Sequence, residues 1–432
     1  MPLKHIVEEI TLNSGAKGLI IDVPDSTVVS YDIGFRAGYD YAEPLVQQSA
    51  HLLEHMAFGV SDGFETAEVF SQEFTKNGAH RGATTYDRGM SYGAESAVME
   101  WERIMDLFQA AITRPIFTQK TLDSEKGNVR EELVSQADNH SRVLYQHIQR
   151  ALGSKRLMDP EKIETIERIQ LSDVQNHYRK THTLKNMRFS IAGDLSKYKD
   201  EIIKKLNQWD LPIGDRLPAL ELVSKSSPMV HVYRKDMSNL LFRLQMDINR
   251  ELSNIENVAM SALGHILTGT FHSRIYGKAR SQGICYNMGS GSSSDISGVS
   301  SWWFYGKVQL ENADTLFRLI IEQIKKVLDG DITEEELDAA KQYALGGYQM
   351  RGQTVSSISG WYTSYYFGHD EIDPLESSPD RIKSTTREDI VKLAKEFINN
   401  CEWTLGGIGN ASSEQLQSHY DLFATLLNNK DK

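Results

Sequence analysis

Two stretches 215 residues apart, TQKTLDSEK at 118–126 and TEEELDAAK at 333–341, align without a gap and share Thr, Leu, Asp and Lys. Each half then closes with a helical run and an apolar strand ending in glycine: SDVQNHYRK and MRFSIAGD in the first, REDIVKLAKEF and WTLGGIGN in the second. Agreement in register at two landmarks points to a duplicated chain, which must fold as two copies of one plan. Short β-rich runs open each copy, GLIIDV (18–23) and VVSYDIGFRAG (28–38) against VHVYRKD (230–236) and LLFRLQMDI (240–248), and helical stretches follow them. Between the copies, residues 206–229 carry three of the ten prolines and break both periodicities. The expected organisation is two homologous domains, 1–205 and 230–432, joined by a linker at 206–229. A length of 432 residues fits that division, since one core rarely serves so long a chain.

The charge balance narrows the partners. Forty-seven Lys and Arg against 59 Asp and Glu leave a net charge of −12, a poor surface for phosphate, so no nucleic acid is expected. No window offers the roughly 20 continuous apolar residues of a membrane helix, so no membrane is expected either. The amino-terminal MPLKHIVEEITLNSGAKG lacks a long apolar segment, and Glu8 and Glu9 suit a transit peptide poorly. Cys285 and Cys401 lie far apart in sequence and need no bridge in a chain of this size. A reducing, cytoplasmic setting is the expectation.

The duplication also separates chemistry from folding. At an offset of 214, AHLLEH (50–55) faces GHILTG (264–269): His51 has a counterpart in His265, while Glu54 and His55 become Thr268 and Gly269. At 215, Glu125 faces Ala340 and Glu132 faces Gly347. Ionisable residues that merely supported the shared fold would be expected to survive more widely in the second copy, and of these only His51 does. In HLLEHMAFG (51–59), His51 and His55 are four apart, so on a helix both imidazoles project from one face, with Glu54 beside them. This is the mirror order of H-E-x-x-H, in which two histidines ligate zinc and the glutamate works on water. A catalytic zinc takes three protein ligands and keeps one position open, so a third donor is required. The charged helical segment SEKGNVREELVSQADNH (124–140) offers Glu125, Glu131, Glu132 and His140. Glu125, Val129 and Glu132 share one helical face, and Glu131 is turned about 100° from Glu132. Spacing alone leaves the choice of ligand open.

HLLEHMAFG, followed 77 residues after His55 by E-K-G-N-V-R-E-E-L, resembles the pitrilysin/insulinase family of inverzincin metallopeptidases. NGAHRGATTYDRGMSYGAE (77–95) is similar to that family's edge strand, IAGD (191–194) to its closing strand, and SRIYGKARSQGICY (273–286) to its S-R-L motif, so the resemblance spans nearly the whole chain. It implies an α+β fold: two domains of mostly antiparallel sheet flanked by helices, as in one half of a pitrilysin-type enzyme. It implies one zinc per chain held by His51, His55 and Glu132, with Glu125 behind them and Glu54 activating a zinc-bound water. Arg280 and Tyr286 would complete the catalytic set, the tyrosine stabilising the oxyanion. Gly82, Ala83 and Thr84 would bind substrate backbone, with Gly82 standing where the family usually has asparagine. The implied activity is endopeptidase cleavage of peptides or unfolded segments in an enclosed chamber, by a homodimer or by a heterodimer with a motif-less paralogue. A non-catalytic structural or processing subunit is the alternative within the family.

Other features receive structural readings. Trp302, Trp303 and Phe304 are expected as strand core or a subunit contact, and GSGSSSDISG (289–298) as a loop between strands. His80, His140, His147, His177 and His182 have no partner at ligand spacing and are expected at the surface.

Overall fold

The computed structural model describes residues 2–59 and 61–427. Eleven strands are found among them: β1 (Ile6–Thr11), β2 (Lys17–Asp22), β3 (Val28–Phe35), β4 (His80–Thr85), β5 (Met90–Ala97), β6 (Arg188–Gly193), β7 (Val230–Tyr233), β8 (Asn239–Ile248), β9 (Cys285–Ser294), β10 (Ser300–Gln309) and β11 (Glu402–Gly409). They form two sheets, ordered β1-β2-β6-β3-β5-β4 and β7-β11-β8-β10-β9. In each sheet one pair is parallel, β2 with β6 and β7 with β11, and the remaining neighbours are antiparallel. Dropping β1 makes the two orders superimposable, so the repeat read from the sequence is a repeat of topology. The fold is α+β, with two mixed sheets each flanked by helices.

The compact units do not coincide with contiguous halves. The first runs through Ser135 and adds Arg156–Leu220 and Gln349–Leu375; the second takes Gln136–Lys155, Glu221–Tyr348 and the chain from Glu376 onward. The linker at 206–229 does lack regular structure beyond Asn207, and the division between units falls inside it. What the contiguous bounds 1–205 and 230–432 omit is an exchange of one helix each way. The helices of the first half include α1 (Gln48–Ala57), α2 (Ala67–Thr75), α3 (Trp101–Thr113), α4 (Gln119–Ser135) and α5 (His140–Ala151), with two more before β6. Helix α5 packs on β11 and β8 of the second sheet, and helix Val355–His369 packs on β3 and β6 of the first. Both crossings need a glycine in the strand beneath. A Cβ on Gly34 would lie 2.5 Å from the Phe367 ring, and one on Gly406 would lie 2.5 Å from Ile148 Cδ1. Helices on both faces explain why β6 is buried at every residue.

Two expectations are corrected. The stretch 289–298 is not all loop: its first six residues continue β9 to Ser294. Gly289 and Gly291 stand opposite Tyr305 and Trp303, whose rings occupy the space a side chain would take. Trp302 and Phe304 are core, 1% and 0% exposed. His177 and His182 are not at the surface but buried, at 4% and 0% exposed. His177 donates through Nε2 to the carbonyl of Ala37 at 2.8 Å, and His182 stacks on Phe35 with Nε2 2.9 Å from the Tyr92 hydroxyl.

Burial depresses the His177 pKa from its ordinary value to about 4, and drives His182 well below its ordinary value too. Unfolded imidazole titrates near pH 6.5, so between about 6.5 and 4 the unfolded chain binds the extra proton. Stability from a neutral His177 is therefore complete above that range and lost as pH falls through it, by about 3 kcal/mol. Urea denaturation of wild type and His177→Gln at a series of pH values checks this. The variant keeps a donor for Ala37 and is expected to show a shallower slope between pH 6.5 and 4.

Candidate metal centre

Helix α1 is unusual in being buried nearly all round, including Gln48, His51 and Glu54. Apolar burial on this scale is the work of Leu52, Leu53 and Met56, each at most 2% exposed. Polar groups taken into such a core are costly unless paired, so their partners define the site. Helix α4 packs against α1, and Leu122, Val129 and Leu133 are buried along it. That buried stripe leaves Glu125 and Glu132 flanking it and facing the histidines.

Among the described residues, the one group of three possible ligands whose donor atoms lie within 4.8 Å of one another is His51, His55 and Glu132. His51 Nε2 is 3.5 Å and His55 Nε2 3.8 Å from Glu132 Oε2, too long for good hydrogen bonds. The opposite ring nitrogens are anchored. His55 Nδ1 donates to Glu125 Oε2 at 3.0 Å, and His51 Nδ1 donates to Gln48 Oε1 at 3.3 Å. Anchoring Nδ1–H fixes the tautomer whose lone pair sits on Nε2, facing the carboxylate. The two rings lie 4.7 Å apart and nearly perpendicular, at 86°. Two imidazoles and one carboxylate, oriented this way, fit a zinc ion. Glu131 is exposed and outside the group.

Electrostatics follow the same partners. Burial raises the Glu54 carboxyl above the usual carboxylate range, against the Thr85 hydroxyl, which donates to Glu54 Oε2 at 2.8 Å. Burial works to lower the His55 imidazole, but the hydrogen bond with Glu125 and the charges of Glu54, Glu125 and Glu132 outweigh it and raise the pKa. The hydrogen bond from His55 lowers the Glu125 carboxyl, assisted by Asn128, whose Nδ2 donates to it at 3.1 Å. Glu125 thus orients a ring that faces the centre. Glu125→Gln is expected to weaken zinc binding about 10–100-fold, the range for such outer partners, measured by competition with a chelator.

Strand β4 passes α1 at the edge of its sheet and, among the described residues, pairs only with β5. Gly82 and Thr84 are exposed and Ala83 half-buried, facing Tyr92 across the ladder, and a Cβ at Gly82 would meet nothing within 4 Å. A cavity of about 480 Å³ lies here, lined by Glu54, His55, Phe58, Arg81, Gly82 and Glu125 among others. Arg280 and Tyr286 belong to the second unit and associate with each other. The guanidinium stacks 4.1 Å from the tyrosine ring and donates to the Tyr286 carbonyl at 2.9 Å, and Tyr286 is 78% exposed. The structure adds two residues that the sequence reading missed, Thr85 on Glu54 and Arg81 in the cavity wall. Both face inward on β4 with Ala83, a period-two signal present in HRGATT.

The degenerate copy has kept a cavity without the chemistry. In the second unit, a space of about 670 Å³ is lined by His265, Thr268, Gly269 and Ala340, the counterparts of His51, Glu54, His55 and Glu125. The helix there widens into a π-turn over His265–Gly269.

Duplicated α+β units, one of them holding a His-His-Glu donor set with a buried carboxylate beside it, define a two-domain protein with, among its described residues, a single candidate metal centre. The models that match it are the insulinase (peptidase family M16) domain over residues 19–161 and the peptidase M16 inactive domain over residues 168–343. The chain belongs to peptidase family M16, the insulinase/pitrilysin family, in its short bacterial two-domain form. It is 24% identical over 396 residues to the non-peptidase homolog YmxG of Helicobacter pylori, covering 83% of this chain and 88% of that one. It is 22% identical over 404 residues to an uncharacterized zinc protease of Rickettsia felis, covering 90% and 94%. The crystal structure of a protease from Helicobacter pylori superposes with a TM-score of 0.82 at 18% identity, over 94% of this chain and all of that chain. Among the described residues, no helix is long and apolar enough to cross a membrane.

Proposed function

We propose that this chain is a zinc-dependent endopeptidase acting on peptides or unfolded polypeptide segments. The observation that carries the reading is a buried base next to a convergent donor set: Glu54 adjoins His55 in α1 but is not among the three donors that meet. His51, His55 and Glu132 would hold the zinc, which when bound supplies Lewis acidity toward a water and a peptide carbonyl. Glu54 takes the proton of the attacking water and returns it to the leaving nitrogen. Burial suits it to that exchange, because a raised carboxyl accepts a proton more readily than an exposed one. The Thr85 hydroxyl holds Glu54 in place during both transfers. Substrate enters as an added strand along β4, where Gly82, Ala83 and Thr84 offer main-chain hydrogen bonds. Folded proteins do not present such a strand, which limits substrates to short or unfolded chains.

The test is a zinc-quantified preparation incubated with an unstructured peptide. Cleavage is expected with one zinc per chain, lost on chelation and restored by stoichiometric zinc. A second reading, a non-catalytic subunit, draws on the similarity to the Helicobacter pylori non-peptidase homolog. Zinc bound at full stoichiometry with no cleavage across a broad peptide library would favour it.

A further inference from the structure

Arg81 is placed oddly for a surface cation. Its guanidinium carbon lies 5.0, 5.7 and 5.5 Å from the ring centroids of Phe58, Phe70 and Phe74, and Nη1 donates to the carbonyl of Phe58 at 3.1 Å. Among the described residues no carboxylate pairs with it, and burial alone lowers its pKa. A guanidinium has five donors in a planar fork, and here three rings and one carbonyl hold it without a neutralising carboxylate. Arg81 lines the same cavity as Glu54 and His55. The cavity's acids are otherwise engaged. Glu54 is bonded by Thr85, Glu125 by His55 and Asn128, and Glu68 by Thr66 and a backbone N–H in the first turn of α2.

Resting on the peptidase reading above, we propose that Arg81 is a specificity-determining residue that selects a substrate carboxylate close to the scissile bond. Arg81 and Thr85 lie on one face of β4, four residues and about 13 Å apart along the strand. The reach of the arginine side chain shortens that gap, so a peptide laid along β4 with its carbonyl near Glu54 brings a side chain within about three residues to the guanidinium. An aspartate or glutamate there gains a charge-assisted, fork-shaped pair in a partly desolvated cavity, and lysine or arginine is repelled. A free carboxyl terminus has the same chemistry, and the test separates the two.

Fluorescent decapeptides of alanine and serine, each with one glutamate at a successive position and matched by a glutamine control, are titrated against zinc-loaded Glu54→Gln by anisotropy. Each is made with a free and an amidated carboxyl terminus. One glutamate position is expected to bind about 10-fold or more tighter than its control, independent of amidation. That preference is expected to vanish in Arg81→Met, persist in Arg81→Lys and invert toward lysine peptides in Arg81→Glu. If amidation alone abolishes binding, the carboxylate is the terminal one. Equal effects of Arg81→Met on glutamate and glutamine peptides, with Arg81→Lys no better, would overturn the proposal. Binding needs no turnover, so the result stands apart from whether wild type cleaves; in the cleaving enzyme the same substitutions are expected to raise KM for acidic peptides relative to their neutral controls.

Discussion

Glu54→Gln is expected to abolish peptide hydrolysis while one zinc per chain is retained. The substitution preserves shape, and the Thr85 hydroxyl, 2.8 Å from Glu54 Oε2, can donate equally to an amide oxygen. What is lost is the ability to take a proton from water and return it to the amine, a contribution of about 10²–10⁴-fold in rate. Because Glu54 is not among the three converging donors, metal content is expected to be unchanged. Zinc analysis and a peptide assay on one preparation check both. Hydrolysis at the wild-type rate would remove Glu54 from the mechanism, and loss of zinc would make it a ligand.

The sequence carried much of this site because the site is local. His51, Glu54 and His55 sit within one turn and a half of one helix, where i and i+4 spacing dictates a common face. The degenerate copy then marked which ionisable residues the fold itself does not need. Register of the repeat, likewise, is conserved in strand order: β2-β6-β3-β5-β4 answers β7-β11-β8-β10-β9. The exchange of α5 and Val355–His369 was illegible for a plain reason. Periodicity shows which face of a helix is buried but not which sheet buries it. Gly34 and Gly406 are the traces that exchange leaves in sequence, and an isolated glycine in a strand has several explanations. His177 and His182 failed for a related cause: their burial is set by Ala37, Phe35 and Tyr92, distant in the chain. Arg81 and Thr85 were missed because strand alternation shows only that they share a face with Ala83, not that α1 and its carboxylate lie opposite.

Glu132→Gln is expected to cost more than about 100-fold in zinc affinity, beyond the 10–100-fold expected for the outer partner Glu125, while Glu131→Gln leaves it unchanged. Adjacent glutamates on a helix point about 100° apart, and packing decides between them. Leu122, Val129 and Leu133 bury one stripe of α4 against the core. That stripe sets the rotation of the helix, putting Glu132 Oε2 within 3.5 Å of His51 Nε2 and 3.8 Å of His55 Nε2. Glu131 falls outside the group. Amidation of Glu132 removes the only negative charge in the donor set, leaving two imidazoles and a weak carbonyl for a divalent cation. Because the Glu132 side chain is 50% exposed, the fold is expected to survive, with stability changed by no more than about 0.5 kcal/mol. Chelator competition and denaturation on the two variants decide the matter. Equal zinc affinity in wild type and Glu132→Gln would break the proposed ligand set, and a loss confined to Glu131→Gln would mean that α4 sits rotated by one residue about its own axis.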